Sequence, residues 1–104
     1  MAEIVWTEPA LSDLDAIADL IALDKPSAAR ALVGRVFEHV AQLADHLKSG
    51  SRPRELRGSR YRQIVEPPCR VFYRLNGGKV IVLHVMRSEQ LLRRSSLNRV
   101  GAGR

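Results

Sequence analysis

The sequence predicts an α+β domain with the order β-α-α-β-β-β: an N-terminal strand, a two-helix hairpin, then a three-stranded antiparallel sheet with the helices on one face. Two observations carry this. Large apolar residues recur at helical spacing from Leu11 to Leu47, and after Gly50 the pattern changes to short β-branched runs separated by Pro and Gly. Elements grouped in runs argue for helices packed on one side of a largely antiparallel sheet, with its other face left available. A length of 104 residues suits one domain.

Residues 3–7 are short and apolar enough for the first strand. Thr7 can then cap a helix, with Pro9 in the first turn, where a missing N–H costs nothing. Leu11, Leu14, Ile17, Ala18 and Ile21 form its apolar stripe, while Asp13, Asp15 and Asp19 fall largely outside it. Asp24-Lys25-Pro26-Ser27 breaks this helix and starts a second. The second is predicted to run through Ala29, Leu32, Val33, Val36, Val40, Leu43 and Leu47, with Gly50 as its stop. So short a link makes a helical hairpin.

Residues 51–59 are basic, contain Pro53 and Gly58, and read as a loop. Strands are predicted over 61–66, 69–75 and 79–86. Turn chemistry sits in Asn76-Gly77-Gly78. With a two-residue loop there, Val71, Tyr73, Leu75, Val80, Val82, His84 and Met86 share one face. Arg70, Phe72, Arg74, Ile81, Leu83, Val85 and Arg87 share the other. A three-residue loop with a bulge would change this. Pro67-Pro68 cannot adopt the positive φ of the common hairpin turns, so a longer or bulged connection is expected, and the face of Arg62 stays open. Residues 1–92 make the domain; residues 93–104 form a basic tail expected to be disordered in isolation.

Charge is unevenly divided. The chain carries a formal +6, but residues 1–50 hold four Lys/Arg against eight Asp/Glu, a balance of −4. Residues 51–104 hold thirteen Lys/Arg against three Glu, a balance of +10, and twelve of the thirteen are Arg. Arginine presents a planar fork of donors that suits carboxylate and phosphate. The second half therefore expects an acidic partner, either nucleic acid or an acidic protein segment. The single cysteine, Cys69, excludes an internal disulfide and a multi-thiolate zinc site. The N-terminus does not read as a signal peptide, and no apolar run approaches the ~18 residues of a membrane span. A cytoplasmic location fits, with no membrane contact.

The candidates for chemistry are few. His84 is the one strand histidine and reads as structural. His39 and His46 are seven residues apart on the second helix and read as a polar helix edge, so no metal is expected. Cys69 has no base adjacent in sequence and reads as an inert thiol. Trp6, Phe37, Tyr61, Phe72 and Tyr73 read as core. Gly77-Gly78 is a turn and not a phosphate loop, because no helix start or Lys-Ser/Thr follows. No cofactor is expected. Arg70 has a candidate carboxylate partner in Glu66.

The order of elements, with "YRQIVEPPCRVFYRL" followed by "KVIVLHVMRSEQLL", resembles the RelE/ParE superfamily of bacterial type II toxin–antitoxin toxins. The opening "IVWTEPALSDLDAIADLI" is similar to that family's first strand and helix, and the likeness covers residues 2–92. The long helical hairpin and this opening look more like the ParE arm, whose characterised members inhibit DNA gyrase. By resemblance to the ribonuclease arm, Arg62, Arg70 and Arg87 fall near basic positions of a catalytic set. Ile64 stands where that arm commonly has another basic residue, and no Tyr or His follows Arg87.

The resemblance implies a toxin of the plasmid-stabilisation type that inhibits gyrase when free. Its cognate antitoxin, ParD-like, would supply an acidic segment and could build a hetero-oligomer with it. The surface expected to bind target or partner comprises Arg62, Arg70, Phe72, Arg74, Arg87, Arg93 and Arg94. The alternatives are a ribosome-dependent mRNA interferase of the RelE kind and a non-toxic nucleic-acid-binding module.

Overall fold

The computed structural model describes residues 2–90 together with Leu92 and Leu97. Strand β1 (Glu3–Trp6) leads into helix α1 (Glu8–Ala22) and helix α2 (Pro26–Ala41), followed by strands β2 (Arg62–Glu66), β3 (Cys69–Asn76) and β4 (Lys79–Arg87). The α+β order is as expected. The sheet, however, has four strands and is mixed, in the order β1-β4-β3-β2. β1 lies parallel to β4, with Glu3 opposite Lys79 and Trp6 opposite Val82. A parallel neighbour needs a long crossover, and the helical hairpin lies within that crossover. Among the described residues no helix is long and apolar enough to cross a membrane.

The local start signals act as anticipated. Thr7 caps α1, its hydroxyl oxygen accepting from the Ala10 N–H at 3.4 Å while its O–H donates to the Val82 carbonyl at 2.7 Å. One side chain thus starts the helix and ties it to β4. Pro26 opens α2 in its first turn. The second helix is shorter than its apolar spacing suggests: it ends at Ala41 and tightens into a 3-10 turn over Gln42–Ala44. Leu43 and Leu47 still pack on the core from this irregular segment. His46 accordingly lies beyond the helix and shares no helical face with His39.

Gly50 is a point of close approach, not a helix stop. Its N–H donates to the Tyr73 hydroxyl at 3.1 Å, and that hydroxyl donates to the Leu47 carbonyl at 2.9 Å. A Cβ at Gly50 would sit 2.5 Å from the Tyr73 hydroxyl oxygen and 2.6 Å from the Gln63 carbonyl oxygen. Burial pushes the Tyr73 phenol pKa upward, so it stays a neutral two-way hydrogen-bonding group. Gly50→Ala should therefore cost about 1–3 kcal/mol, the usual penalty for overpacking. A urea denaturation curve checks this; an unchanged midpoint would contradict it.

Both hairpin turns use two residues. Gly77 and Gly78 have φ of 57° and 82°, the positive pair that the right-handed strand twist favours. Pro67-Pro68, joined by a cis peptide bond, links Glu66 directly to its partner Cys69. The expected longer connection is absent: the two prolines alone close the turn between paired residues.

The strand faces follow the expectation up to one point. Tyr73 pairs with Val82, but Phe72 pairs with His84, leaving Leu83 as an extra residue in β4. This bulge shifts every later residue by one. Val85 turns to the helices, Met86 turns away, and Arg87 comes opposite Cys69. The helix-side core gathers Leu14, Leu32, Val36, Val40, Ile64, Val71, Tyr73, Val80 and Val82, among others. Each such side chain, fully buried, contributes about 1.5–3 kcal/mol.

The other sheet face is not left open. Tyr61, Phe72, Leu83, Met86, Leu92 and Leu97 form a second buried cluster, with Leu56 and Ile81 against it. Phe72 and Leu97 are 0% and 1% exposed. Residues from beyond β4 thus cover the face that helices leave bare.

Candidate functional site

The residues that the sequence assigns to binding are dispersed over the sheet. Arg62 is opposite Tyr73, which places it on the helix side. Its guanidinium donates to the Gly50 and Lys48 carbonyls at 2.9 and 3.3 Å and so braces the segment that leaves α2. Arg87 stands at the end of β4, half-exposed, with its Nε 2.9 Å from a carboxylate oxygen of Glu89. It does not share a face with Arg70, because the Leu83 bulge intervenes. Arg74, opposite Ile81, is on the Phe72 side and half-buried. Phe72 itself is a core residue. Arg93 and Arg94, with the rest of the basic tail except Leu97, lie outside the described residues.

Arg70 is buried, at 8% exposure, and fully engaged. Its two terminal nitrogens donate to the two carboxylate oxygens of Glu55 at 2.8 and 2.9 Å, a bidentate pair. Further donors reach Gln63 Oε1 at 2.8 and 3.0 Å and the Gln90 carbonyl at 3.0 Å. Its guanidinium carbon lies 4.9 Å from the centre of the Phe72 ring. Glu55 also accepts the Leu92 N–H at 3.1 Å, so one carboxylate joins the basic loop, β3 and the segment after β4. The Arg70 hydrogen bonds, helped by the Leu92 N–H and opposed by burial, lower the Glu55 pKa from 4.5 to about 2. Glu66, the carboxylate expected to serve Arg70, faces the other way. It takes Arg35 at 3.3 Å and the His39 Nδ1 at 3.0 Å, pinning the diproline turn to α2.

His84 is not on the face opposite Arg70. The bulge sets it against Phe72, with ring centres 5.8 Å apart. Its Nδ1 lies 2.6 Å from a carboxylate oxygen of Asp13, and the same oxygen accepts the Val85 N–H at 3.2 Å. β1 has ended there, so the α1 carboxylate satisfies the edge of β4. Cys69 is fully buried, and burial raises its thiol pKa against the opposing pull of Arg87 and Arg35. Among the described residues no group of three or more His, Cys, Asp or Glu side chains could hold a metal ion.

Among the described residues, two of the open surfaces suit a large partner. Between α1 and α2 runs an apolar groove lined by Ala18, Ala22, Pro26, Ala29 and Val33, with Asp19 and Arg30 on its rim. Leu20 and Leu23 stand exposed at the hairpin tip, at 60% and 86%. The other surface is a basic cleft beside β2, lined by Arg52, Arg54, Gln63, Val65, Arg70 and Ser88. Sequence reasoning missed Glu55, Gln63 and Gln90, whose roles depend on pairings that no local pattern announces.

The profile describing the ParE toxin of the type II toxin–antitoxin system parDE matches residues 4–92. Among solved structures, the chromosomal ParDE toxin–antitoxin system from P. aeruginosa is similar at 31% identity and a TM-score of 0.71, covering 86% of this chain and 98% of that one. The toxin–antitoxin complex RelBE2 from Mycobacterium tuberculosis shares the fold at 19% identity and a TM-score of 0.55, covering 83% of this chain and 96% of that one. A comparison with curated proteins found no match.

Proposed function

The chain belongs to the ParE toxin family of type II toxin–antitoxin systems, and we propose that it acts in the cytoplasm by inhibiting DNA gyrase when its antitoxin is absent. The observation that supports an inhibitor over a nuclease is the separation of the three arginines. Arg62 braces the segment that leaves α2, Arg70 is spent on Glu55, and Arg87 is beyond the bulge on the other side. Cleavage of RNA needs charge stabilisation at one phosphate together with a group that moves a proton. Inhibition by contact needs only a surface.

The cognate antitoxin is a second partner. The groove between α1 and α2 suits apolar side chains of a segment that folds on binding, and the basic half of the chain suits its acidic residues. Such a complex would cover the exposed Leu20 and Leu23.

Two assays separate the readings. Purified protein is expected to block supercoiling by gyrase and to leave mRNA on translating ribosomes uncut in primer extension. Codon-positioned cuts with normal supercoiling would instead establish the mRNA interferase reading.

A further inference from the structure

We propose that the loop of residues 51–60 and the cleft beneath it form a binding surface for the phosphodiester backbone of nucleic acid. The loop holds Arg52, Arg54, Arg57 and Arg60, all exposed, and a single acid, Glu55. That acid is turned inward: both its oxygens are taken by Arg70, and it stays ionised to about pH 2. The loop therefore presents its arginines outward without a carboxylate of its own among them. Among the described residues, no ion pair engages any of the four.

The cleft gives this charge a shape. It has a volume of about 380 Å³ and receives Arg52 and Arg54 from the loop, Gln63 and Val65 from β2, Arg70 from β3 and Ser88 from the turn after β4. One N–H of Arg52 donates to the Ser59 carbonyl, which holds the side chain in place and leaves its other donors for a ligand. The backbone around it is anchored too. Ser51 and Gln63 exchange N–H···O bonds of 2.9 and 2.7 Å, so the start of the loop is a bridge to the edge of β2. Arg52 is thus carried beside a fixed edge.

The lining decides the class of ligand. Val65 is its one apolar side chain, so the cleft lacks the apolar pockets that anchor a bound strand or helix. A purely acidic stretch, which arginine clusters also take, is the competitor that polyglutamate represents in the test. A phosphodiester backbone asks only for forked donors and positive charge, which arginine supplies. This surface lies apart from the groove between α1 and α2, and the inference stands whether or not gyrase is the toxin's target.

The test is equilibrium binding of the purified full chain to a short labelled DNA duplex, a single-stranded RNA of matched length and a polyglutamate of matched charge, over a range of salt. Nucleic acid should bind more tightly than polyglutamate, with log K falling as log salt rises by about 0.9 per phosphate on duplex and about 0.7 on a single strand. The tighter of the two nucleic acids identifies the natural source of the phosphates. Arg52→Gln/Arg54→Gln should weaken that binding at least about tenfold and flatten the salt slope by roughly two contacts, with an unchanged melting temperature. Lys25→Gln/Lys79→Gln removes the same net charge from exposed positions outside the loop and cleft and should leave binding nearly intact. Tighter binding of polyglutamate, equal losses in the two double variants, or no binding of either nucleic acid would overturn the inference.

Discussion

Glu55→Ala should destabilise the fold by about 3–5 kcal/mol, the range for breaking one side of a buried ion pair. It would strand the Arg70 guanidinium at 8% exposure with only Gln63 and the Gln90 carbonyl as acceptors, and it would leave the Leu92 N–H without its carboxylate. Glu55→Gln keeps the shape and one acceptor, so its loss should be smaller. The pH dependence has a definite sign. The folded-state pKa of about 2 is below the ordinary 4.5. The unfolded chain therefore takes up the proton first as pH falls. Stability from this group is complete above pH 4.5 and drains away as the pH drops toward 2. The difference corresponds to about 3 kcal/mol. Urea curves of wild type and Glu55→Gln at neutral pH, pH 4.5 and below should show the gap between them closing through that window. A gap that stays constant would mean that the carboxylate charge contributes nothing.

Phe72→Ala should cost about 3–5 kcal/mol, as truncating a buried aromatic does. Phe72 is wholly inaccessible, with the Arg70 guanidinium 4.9 Å from its ring centre and the His84 ring 5.8 Å away. A loss of that size lowers the melting temperature of a domain this small by more than about 12 °C. Phe72→Leu, which keeps most of the volume, should lose clearly less. The sequence reads Phe72 both as core and as part of the surface expected to bind, and a contact residue behaves differently: truncation would weaken partner binding and spare the melting temperature. Thermal melts of both variants separate the two roles, and an unchanged melt for Phe72→Ala would restore the contact role.

The signals that were legible are those whose cause is local. Thr7 followed by Pro9, Pro26 at the head of the second helix, and Gly77-Gly78 at the hairpin each act through residues within one turn, so their positions in the chain are enough. The apolar spacing overruns the second helix because Leu43 and Leu47 continue a pattern that a 3-10 turn can also present to the core. Gly50 reads as a stop, since a glycine needed for close approach to Tyr73 and one needed for a helix end are the same letter. The family resemblance, carried by the order of elements and the strands after Gly50, agrees with the profile match over residues 4–92.

By itself the sequence determined the element order, the α+β class, the polar division between an acidic first half and an arginine-rich second half, and the likeness to a toxin family. Tertiary structure alone decided which of those arginines face outward. Side chains alternate along a strand, so the single extra residue Leu83 moves Val85, Met86 and Arg87 to new faces and brings His84 against Phe72. The same holds for Arg70, whose charge is cancelled by a carboxylate fifteen residues away, and for the sheet face that Leu92 and Leu97 return to cover. Periodicity records what a residue's neighbours in the chain require of it; which distant group it meets is set by strand register and chain return, and those are properties of the packed whole.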